Sequence, residues 1–205
     1  MSLRARIPNL LTYLRLALIP VFVLLMIDPT PGMVRLALFV FIIAAITDSL
    51  DGFVARRWGA VSNYGKLLDP LADKILVMAA LVMLVAQRSD LYGEPWVPGW
   101  MVVLVLAREI WVTGVRGVAA SKGLVLQADG AGKLKSVLQM AAICFLLLHH
   151  TQFRVGAGEM SAQLIGANLL LVSIMVSYWG AIGYTTSVMR LMSVDENSSP
   201  GKSGS

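Results

Sequence analysis

Six long apolar runs are the feature that most constrains the fold of this chain. They lie at about 9–28, 33–57, 69–88, 97–120, 132–150 and 161–190, and the last has no charged residue from Met160 to Met189. A helix needs roughly 20 mainly apolar residues to cross a bilayer. Because the apolar residues are continuous rather than alternating, they favour helices over strands. The sequence therefore predicts an all-α integral membrane protein with six transmembrane helices.

The composition also favours a membrane protein. Hydrophobic residues make up 57% of the 205 positions, charged residues make up 14%, and the mean hydropathy is +0.74. A soluble domain of this length cannot bury so much apolar surface. The first run contains Arg15 and lacks a small-residue cleavage site, so we expect a retained helix rather than a signal peptide. The single cysteine, Cys144, cannot form an internal disulfide.

Lysine and arginine predict the orientation in the membrane. One side would hold the termini and the 57–68 and 121–132 connections. Its basic residues are Arg4, Arg6, Arg56, Arg57, Lys66, Arg116, Lys122, Lys133, Lys135, Arg190 and Lys202. The other side has only Arg35, Arg88 and Arg154. Because cytoplasmic loops carry the excess of basic residues, both termini are predicted to be cytoplasmic.

The same pattern sets the expected domains and location. Residues 1–192 are predicted to form a single membrane domain in the cytoplasmic (inner) membrane, and the polar residues 193–205 a disordered tail. The basic residues flank apolar runs, so we expect a lipid bilayer and no nucleic acid as partner.

An acidic segment lies between the second and third runs, at the predicted cytoplasmic side. In a helix over 33–57, Asp48 and Asp51 share one stripe with two small residues, Gly52 and Ala55. Small residues leave room for a close helix or for a ligand beside the carboxylates.

The second half of this segment predicts a helix start. Asp69 suits the N-cap and Pro70 the first helical position, and Asp73 faces the same way as Asp69. An antiparallel turn between the two helices would make the four aspartates converge. Carboxylate oxygens favour hard cations such as Mg²⁺ or Mn²⁺, and two such ions suit a diphosphate substrate. The alternative is an interfacial salt-bridge cluster with the basic residues nearby, which are Arg56, Arg57, Lys66 and Lys74.

These residues resemble the signature of a known family. The pattern Asp48-x-x-Asp51-Gly52-x-x-Ala55-Arg56, eight residues, then Gly65-x-x-x-Asp69-x-x-x-Asp73 is similar to that of the CDP-alcohol phosphotransferases. The resemblance implies six transmembrane helices, a homodimer and two divalent ions (Mg²⁺ or Mn²⁺). It also implies transfer of a phosphatidyl or similar group from a CDP-linked donor to an alcohol, with release of CMP. The predicted orientation places the acidic segment, and with it the active site, at the cytoplasmic face.

The resemblance assigns roles residue by residue. It implies that Asp48, Asp51, Asp69 and Asp73 bind the metals and that Asp73 is also the general base for the acceptor hydroxyl. The residues that it places around the CDP donor are Asp51, Gly52, Ala55, Arg56, Gly65, Asn9 and Thr12.

Segments outside the signature resemble one branch of the family. They are "IPNLLTYLRLALIPVF", "AREIWVTGVRGVAASKG" and "GKLKSVLQMAAI". These segments are similar to those of phosphatidylglycerophosphate synthases, which implies CDP-diacylglycerol and sn-glycerol 3-phosphate as substrates.

A phosphorylated acceptor needs further cations, and five basic residues are candidates for binding it. They are Arg15, Arg108, Arg116, Lys133 and Lys135. Arg108 and Arg116 are offset by only about 80° on a helix, and an arginine inside an apolar run indicates a functional site. Glu109 is expected to point away from Arg108. The alternatives are a buried pair with one of the aspartates for Arg108, snorkelling for Arg15 and Arg116, and headgroup contacts for the two lysines.

Other functions remain open at this point. Within the family, the acceptor could be inositol phosphate, serine or phosphatidylglycerol. From a different class, a divalent-cation transporter or channel would also place acidic residues in a membrane. However, the acids cluster at one face only, and no pair of symmetric broken helices is evident.

Overall fold

The computed structural model describes residues 3–58, 63–88, 93–123, 130–155 and 158–198. These ranges form α1 (Leu3–Leu25), α2 (Pro31–Trp58), α3 (Asn63–Ala86), α4 (Gly99–Ser121), α5 (Gly130–Leu147), β1 (Gln152–Val155), β2 (Gly158–Ser161) and α6 (Ala162–Ser198). For some residues the description covers the backbone alone. They are residues 3–9, 11, 48–58, 63–70, 73, 130–131, 155, 158 and 194–198.

Each predicted apolar run corresponds to one helix, so the mainly helical class is confirmed. Within the described residues, one helix is long and apolar enough to cross a membrane by length and composition, at Ala162–Ser193. Shorter apolar stretches lie at Thr12–Leu25, Pro31–Thr47 and Lys74–Ala86. Charged residues near the helix ends or inside the helices interrupt the other runs.

Three details differ from the prediction. Helix α3 begins at Asn63, so Asp69 is not an N-cap and Pro70 lies in the helix interior. A two-stranded antiparallel hairpin, with Gln152 opposite Ser161 and Val155 opposite Gly158, joins α5 to α6, so the fold is not purely α. Helix α6 continues to Ser198, into the segment predicted to be a disordered tail, and residues 199–205 lie outside the described part.

The core lies between α1, α2, α3 and the α5–α6 pair. Phe22 of α1 and Phe41 of α2 are fully buried, with ring centroids 6.1 Å apart. Leu76 and Leu146 bring α3 and α5 into the same core. Gly166 of α6 permits the closest approach, because a Cβ there would lie 3.0 Å from the Ala142 carbonyl oxygen of α5.

The outer surface carries large apolar side chains on several helices. The most exposed include Leu24, Phe39, Val103, Ile110 and Trp179, and Trp179 is 82% exposed. A soluble monomer rarely exposes apolar surface on this scale. This surface suits a lipid environment around the helices.

One end of the bundle is closed by contacts between helix termini. Trp96, between α3 and α4, stacks on His149 after α5, with ring centroids 3.4 Å apart. Gln87 at the end of α3 donates to the Met26 carbonyl after α1 (2.7 Å), and Gln163 at the start of α6 donates to the Trp96 carbonyl (3.2 Å). The C-terminal ends of α1, α3 and α5 therefore meet the N-terminal ends of α4 and α6 here. The acidic segment lies toward the other end.

Candidate active site

The four aspartates of the acidic segment lie on two consecutive helices. Asp48 and Asp51 are in the C-terminal part of α2, and Asp69 and Asp73 are in α3, with only residues 59–62 between the helices. Helical spacing places Asp48 beside Asp51, and Asp69 beside Asp73. Their side chains lie outside the described residues, as do those of Asn9, Gly52, Ala55, Arg56 and Gly65.

The chemistry of these donors fits a hard divalent cation. By their sequence spacing, the two pairs of aspartates would give an oxygen-only donor set of the kind that Mg²⁺ and Mn²⁺ prefer. Among the side chains that the structure describes, no group of three or more His, Cys, Asp or Glu residues forms another candidate metal site.

Glu109 of α4 is the centre of a buried charge cluster. Its Oε1 accepts hydrogen bonds from Arg108 Nη1 (2.9 Å) and from Lys135 Nζ of α5. Its Oε2 lies 3.9 Å from Lys74 Nζ of α3. Arg108, Glu109 and Lys135 are all buried. We call Lys74, Arg108, Glu109 and Lys135 the Glu109 cluster.

Further hydrogen bonds fix this cluster to the helices. Arg108 Nε donates to the Ser177 carbonyl oxygen of α6 at 3.1 Å. Lys74 Nζ donates to Thr113 Oγ1 at 2.6 Å, and Thr113 Oγ1 in turn donates to the Glu109 carbonyl oxygen at 2.7 Å. The cluster thus connects α3, α4, α5 and α6.

The expectation that Glu109 points away from Arg108 is wrong. Neighbouring residues are separated by about 100° around a helix, but the long arginine side chain spans that gap and its Nη1 reaches the carboxylate. Arg108 therefore pairs with Glu109. The predicted alternative, a buried pair between Arg108 and one of the aspartates of the acidic segment, involves side chains outside the described residues.

The structure also brings Arg108 and Arg116 to one cavity, between α4, α5 and α6. Arg108, Val112, Gly132, Gly180 and Ala181 line it, together with Arg116 and Tyr184. The Arg116 guanidinium carbon lies 5.6 Å from the centroid of the Tyr184 ring. A cation over an aromatic face gains attraction and keeps a restricted orientation. The cavity thus has two guanidinium groups on one helix.

Three other predicted residues have different surroundings. Lys133 is exposed. It lies two residues before the buried Lys135 on α5, and residues with this spacing lie on different faces of a helix. On α1, Thr12 and Arg15 are buried, and Arg15 has no exposed surface (0%). The alternative to a binding role, in which Arg15 snorkels to the membrane surface, does not fit its burial. The structure places Thr12 and Arg15 inside the bundle.

Sequence reasoning missed Glu109, Lys74 and Thr113 as members of the site. One signal was present, because an acid inside the apolar run of α4 is costly unless it has a partner. The partner itself lies 26 positions later, at Lys135. No local spacing rule links two such positions.

The cluster is electrostatically suited to bind an anion. Three basic side chains and one carboxylate give it a formal charge of +2 (three positive charges minus one). Lys74, Glu109 and Lys135 line a cavity of about 20 Å³ with Ser136 and Gln139, so the charges border a water-sized space between α3, α4 and α5. A phosphate monoester carries about −1.5 to −2 at pH 7, which complements this charge.

The chain matches one protein family over most of its length. The match is to CDP-alcohol phosphatidyltransferase and covers residues 5–185. It includes α1 to α5 and most of α6, and therefore both the acidic segment and the Glu109 cluster.

Curated relatives with one shared name are similar to the chain. A Bacillus subtilis protein is 42% identical over 161 residues, which cover 73% of this chain and 80% of the relative. A Rickettsia bellii protein is 37% identical over 72% of this chain and 78% of its own length. A protein of Shigella flexneri serotype 5b is 33% identical over 88% of this chain and 93% of its own length. Each is named CDP-diacylglycerol–glycerol-3-phosphate 3-phosphatidyltransferase.

Proposed function

This chain belongs to the CDP-alcohol phosphatidyltransferase family, and we propose that it makes phosphatidylglycerophosphate. In this reaction it transfers the phosphatidyl group of CDP-diacylglycerol to sn-glycerol 3-phosphate and releases CMP. The family match over residues 5–185 and the shared name of its relatives support this chemistry. The enzyme would act in phospholipid biosynthesis.

The observation that carries the choice of acceptor is the buried Glu109 cluster. Serine or a neutral alcohol needs no concentration of basic side chains inside the bundle. Glycerol 3-phosphate brings an anionic phosphate. Arg108 of α4 and Lys135 of α5 already donate to one anionic oxygen, Oε1 of Glu109. Arg116, Arg15 and Lys133 complete the set that we assign to the acceptor phosphate, with Lys133 contributing from the exposed rim.

We place the six helices across the cytoplasmic membrane, with both termini and the active site at the cytoplasmic face. The exposed apolar side chains of the helices and their alternating direction support this arrangement. The excess of lysine and arginine at the end with the termini supports the orientation. We also propose a homodimer as the functional unit, as the family resemblance implies.

The aspartates of α2 and α3 are the residues that would hold two divalent ions, Mg²⁺ or Mn²⁺. These residues are Asp48, Asp51, Asp69 and Asp73. When bound, such ions neutralise the diphosphate of the donor and stabilise the leaving phosphate. The oxygen-only donor set supports this assignment.

The residues of the chain would divide the remaining work. Asp73 accepts the proton of the acceptor hydroxyl. The hydroxyl oxygen forms a bond to the phosphorus that carries diacylglycerol, and the bond from that phosphorus to CMP breaks. The donor nucleotide is bound by small and polar residues of α1, α2 and α3, which are Asn9, Thr12, Asp51, Gly52, Ala55, Arg56 and Gly65.

The test is CMP release by the purified full chain in detergent with CDP-diacylglycerol and Mg²⁺. We expect release that depends on glycerol 3-phosphate, stops with EDTA and returns when Mg²⁺ or Mn²⁺ is restored. Release with inositol phosphate, serine or phosphatidylglycerol instead would keep the class of reaction and overturn the acceptor. Folded protein that releases no CMP with any acceptor would overturn the proposed function.

A further inference from the structure

Glu109 is a buried acid that the proposed reaction does not yet use. Among the side chains that the structure describes, those that contact its carboxylate are all basic. Removing one partner from a buried ion pair leaves an uncompensated charge, which is strongly destabilising. Because Arg108 and Lys135 are buried and would lose their compensating charge away from Glu109, the position of Glu109 sets the positions of their side chains.

The geometry shows how one carboxylate controls two bases. Arg108 Nη1 and Lys135 Nζ donate to the same oxygen, Oε1, although they come from different helices. Two cations this close repel each other unless an anion lies between them. Glu109 supplies that anion, so Lys135 and Arg108 are held close together before an anionic ligand enters.

The remaining donors of Arg108 are compatible with a ligand. Its Nε bonds to Ser177 and its Nη1 to Glu109, which fixes the plane of the guanidinium. A guanidinium carries five N–H donors in a rigid fork, and a fixed fork loses little entropy when it binds phosphate. Arg108 also lines the cavity of about 30 Å³ that contains Arg116, whereas Lys135 and Glu109 line the neighbouring cavity of about 20 Å³.

We propose that Glu109 is a positioning residue for the acceptor phosphate. It holds Lys135 and Arg108 in the geometry that binds this phosphate, and it does not itself contact the reacting atoms. This inference rests on the proposed function, because it assumes a phosphorylated acceptor. By setting the spacing of Lys135 and Arg108, Glu109 favours anionic over neutral acceptors.

The test is the Glu109→Gln variant, which keeps the shape of the side chain and removes its charge. We expect the KM for glycerol 3-phosphate to rise about tenfold. This rise corresponds to the loss of one charged hydrogen bond, taken at the low end of the range of free energies for such bonds. The KM for CDP-diacylglycerol should change less than twofold. Glu94→Gln is the matched control, because it makes the same charge change at an exposed site before α4.

A double-mutant cycle separates positioning from a general structural effect. If Glu109 acts through Lys135, Glu109→Gln should add little to the KM for glycerol 3-phosphate in a Lys135→Gln background. Two effects that multiply independently would overturn the proposal, as would equal rises in the KM for both substrates. If Glu109→Gln does not fold, Glu109→Asp replaces it, since it keeps the charge but withdraws it by about 1.5 Å. An unchanged KM for glycerol 3-phosphate in that variant would also overturn the proposal.

A binding readout distinguishes this failure from failure of the proposed function. Glycerol 3-phosphate should raise the thermal unfolding temperature of the wild type, and raise it less in Glu109→Gln. Wild-type protein with no glycerol 3-phosphate-dependent CMP release would refute the function itself. Active wild type, together with a Glu109→Gln variant of normal KM and normal thermal shift, would refute only the role of Glu109.

Discussion

At the scale of single residues, burial separates two lysines that look equivalent in the sequence. Lys133 is exposed on α5, whereas Lys135 is 9% exposed and donates to Glu109. A buried, oriented ammonium gives a stronger contact to an anion than a solvated one. Lys133 is therefore the weaker candidate for binding the acceptor phosphate.

The first prediction concerns Lys135. Lys135→Ala should raise the KM for glycerol 3-phosphate by about 10- to 100-fold, the equivalent of one charged hydrogen bond. Steady-state CMP release at varied acceptor and fixed donor measures this change. Lys122→Ala, at the exposed C-terminal end of α4, is the control and should leave the KM unchanged. An equal rise in the KM for CDP-diacylglycerol would move Lys135 out of the acceptor site.

The second prediction concerns Asp73. Asp73→Asn should lower kcat by about 10²- to 10⁴-fold, because an amide cannot take the proton of the acceptor hydroxyl. The unfolding temperature in detergent should stay near that of the wild type. Asp28→Asn makes the same chemical change at an exposed position between α1 and α2 and should keep full turnover. Near-normal turnover of Asp73→Asn would remove its role as base.

The residues of the site differ in how far sequence predicts them. The spacing of Asp48, Asp51, Asp69 and Asp73 is local, so the pattern alone indicates a shared site. The contact between Glu109 and Lys135 joins two helices and depends on how they pack. Sequence could therefore single out Lys135 as a basic residue, but it could not identify the acid that holds it.

At the scale of elements, helix type follows directly from the apolar runs, whereas helix ends do not. The proline rule predicts that α3 starts at Asp69, but the helix begins at Asn63 and includes Pro70. Prolines are tolerated inside transmembrane helices because neighbouring groups satisfy the freed carbonyl. The β1–β2 hairpin was missed because its strands have only four residues each. Such short strands give little periodic signal.

The third prediction concerns the contact between α5 and α6. In Gly166→Ala the new Cβ would lie 2.7 Å from Leu146 Cγ and 3.0 Å from both the Ala142 oxygen and the Leu146 nitrogen. Backbone atoms cannot move aside as a side chain can, so we expect a destabilisation of about 1–3 kcal/mol. Thermal unfolding in detergent measures it. Gly183→Ala is the control on the same helix, because its Cβ would meet no atom within 4 Å. A Gly166→Ala protein as stable as this control would contradict the close packing.

At the scale of the whole molecule, two surfaces have opposite character. The apolar side chains that face outwards suit lipid, whereas charged residues such as Arg15, Arg108 and Glu109 lie inside the bundle. Charges inside a membrane protein usually face the interior of the bundle and indicate a substrate pathway. This distribution agrees with a site that is enclosed by helices.

The last prediction concerns orientation in the membrane. The chain has a single cysteine, so Cys144→Ala gives a background without thiols into which one reporter cysteine can be placed. Glu94→Cys reports the end closed by Trp96 and His149, and Lys122→Cys reports the other end, after α4. In intact bacterial cells, a membrane-impermeant maleimide should label Glu94→Cys, and should label Lys122→Cys only after permeabilisation.

This pattern follows from the charge distribution, because the end that contains Lys122 also carries most of the lysines and arginines. The reverse pattern would place the end of the bundle that contains the acidic segment outside the cell, away from cytoplasmic glycerol 3-phosphate. Labelling of both cysteines in intact cells would mean that the two ends of α4 are on the same side, so α4 would not span the membrane. The labelling experiment therefore tests whether α4 spans the membrane and which end of the bundle faces the cytoplasm, independently of any activity measurement.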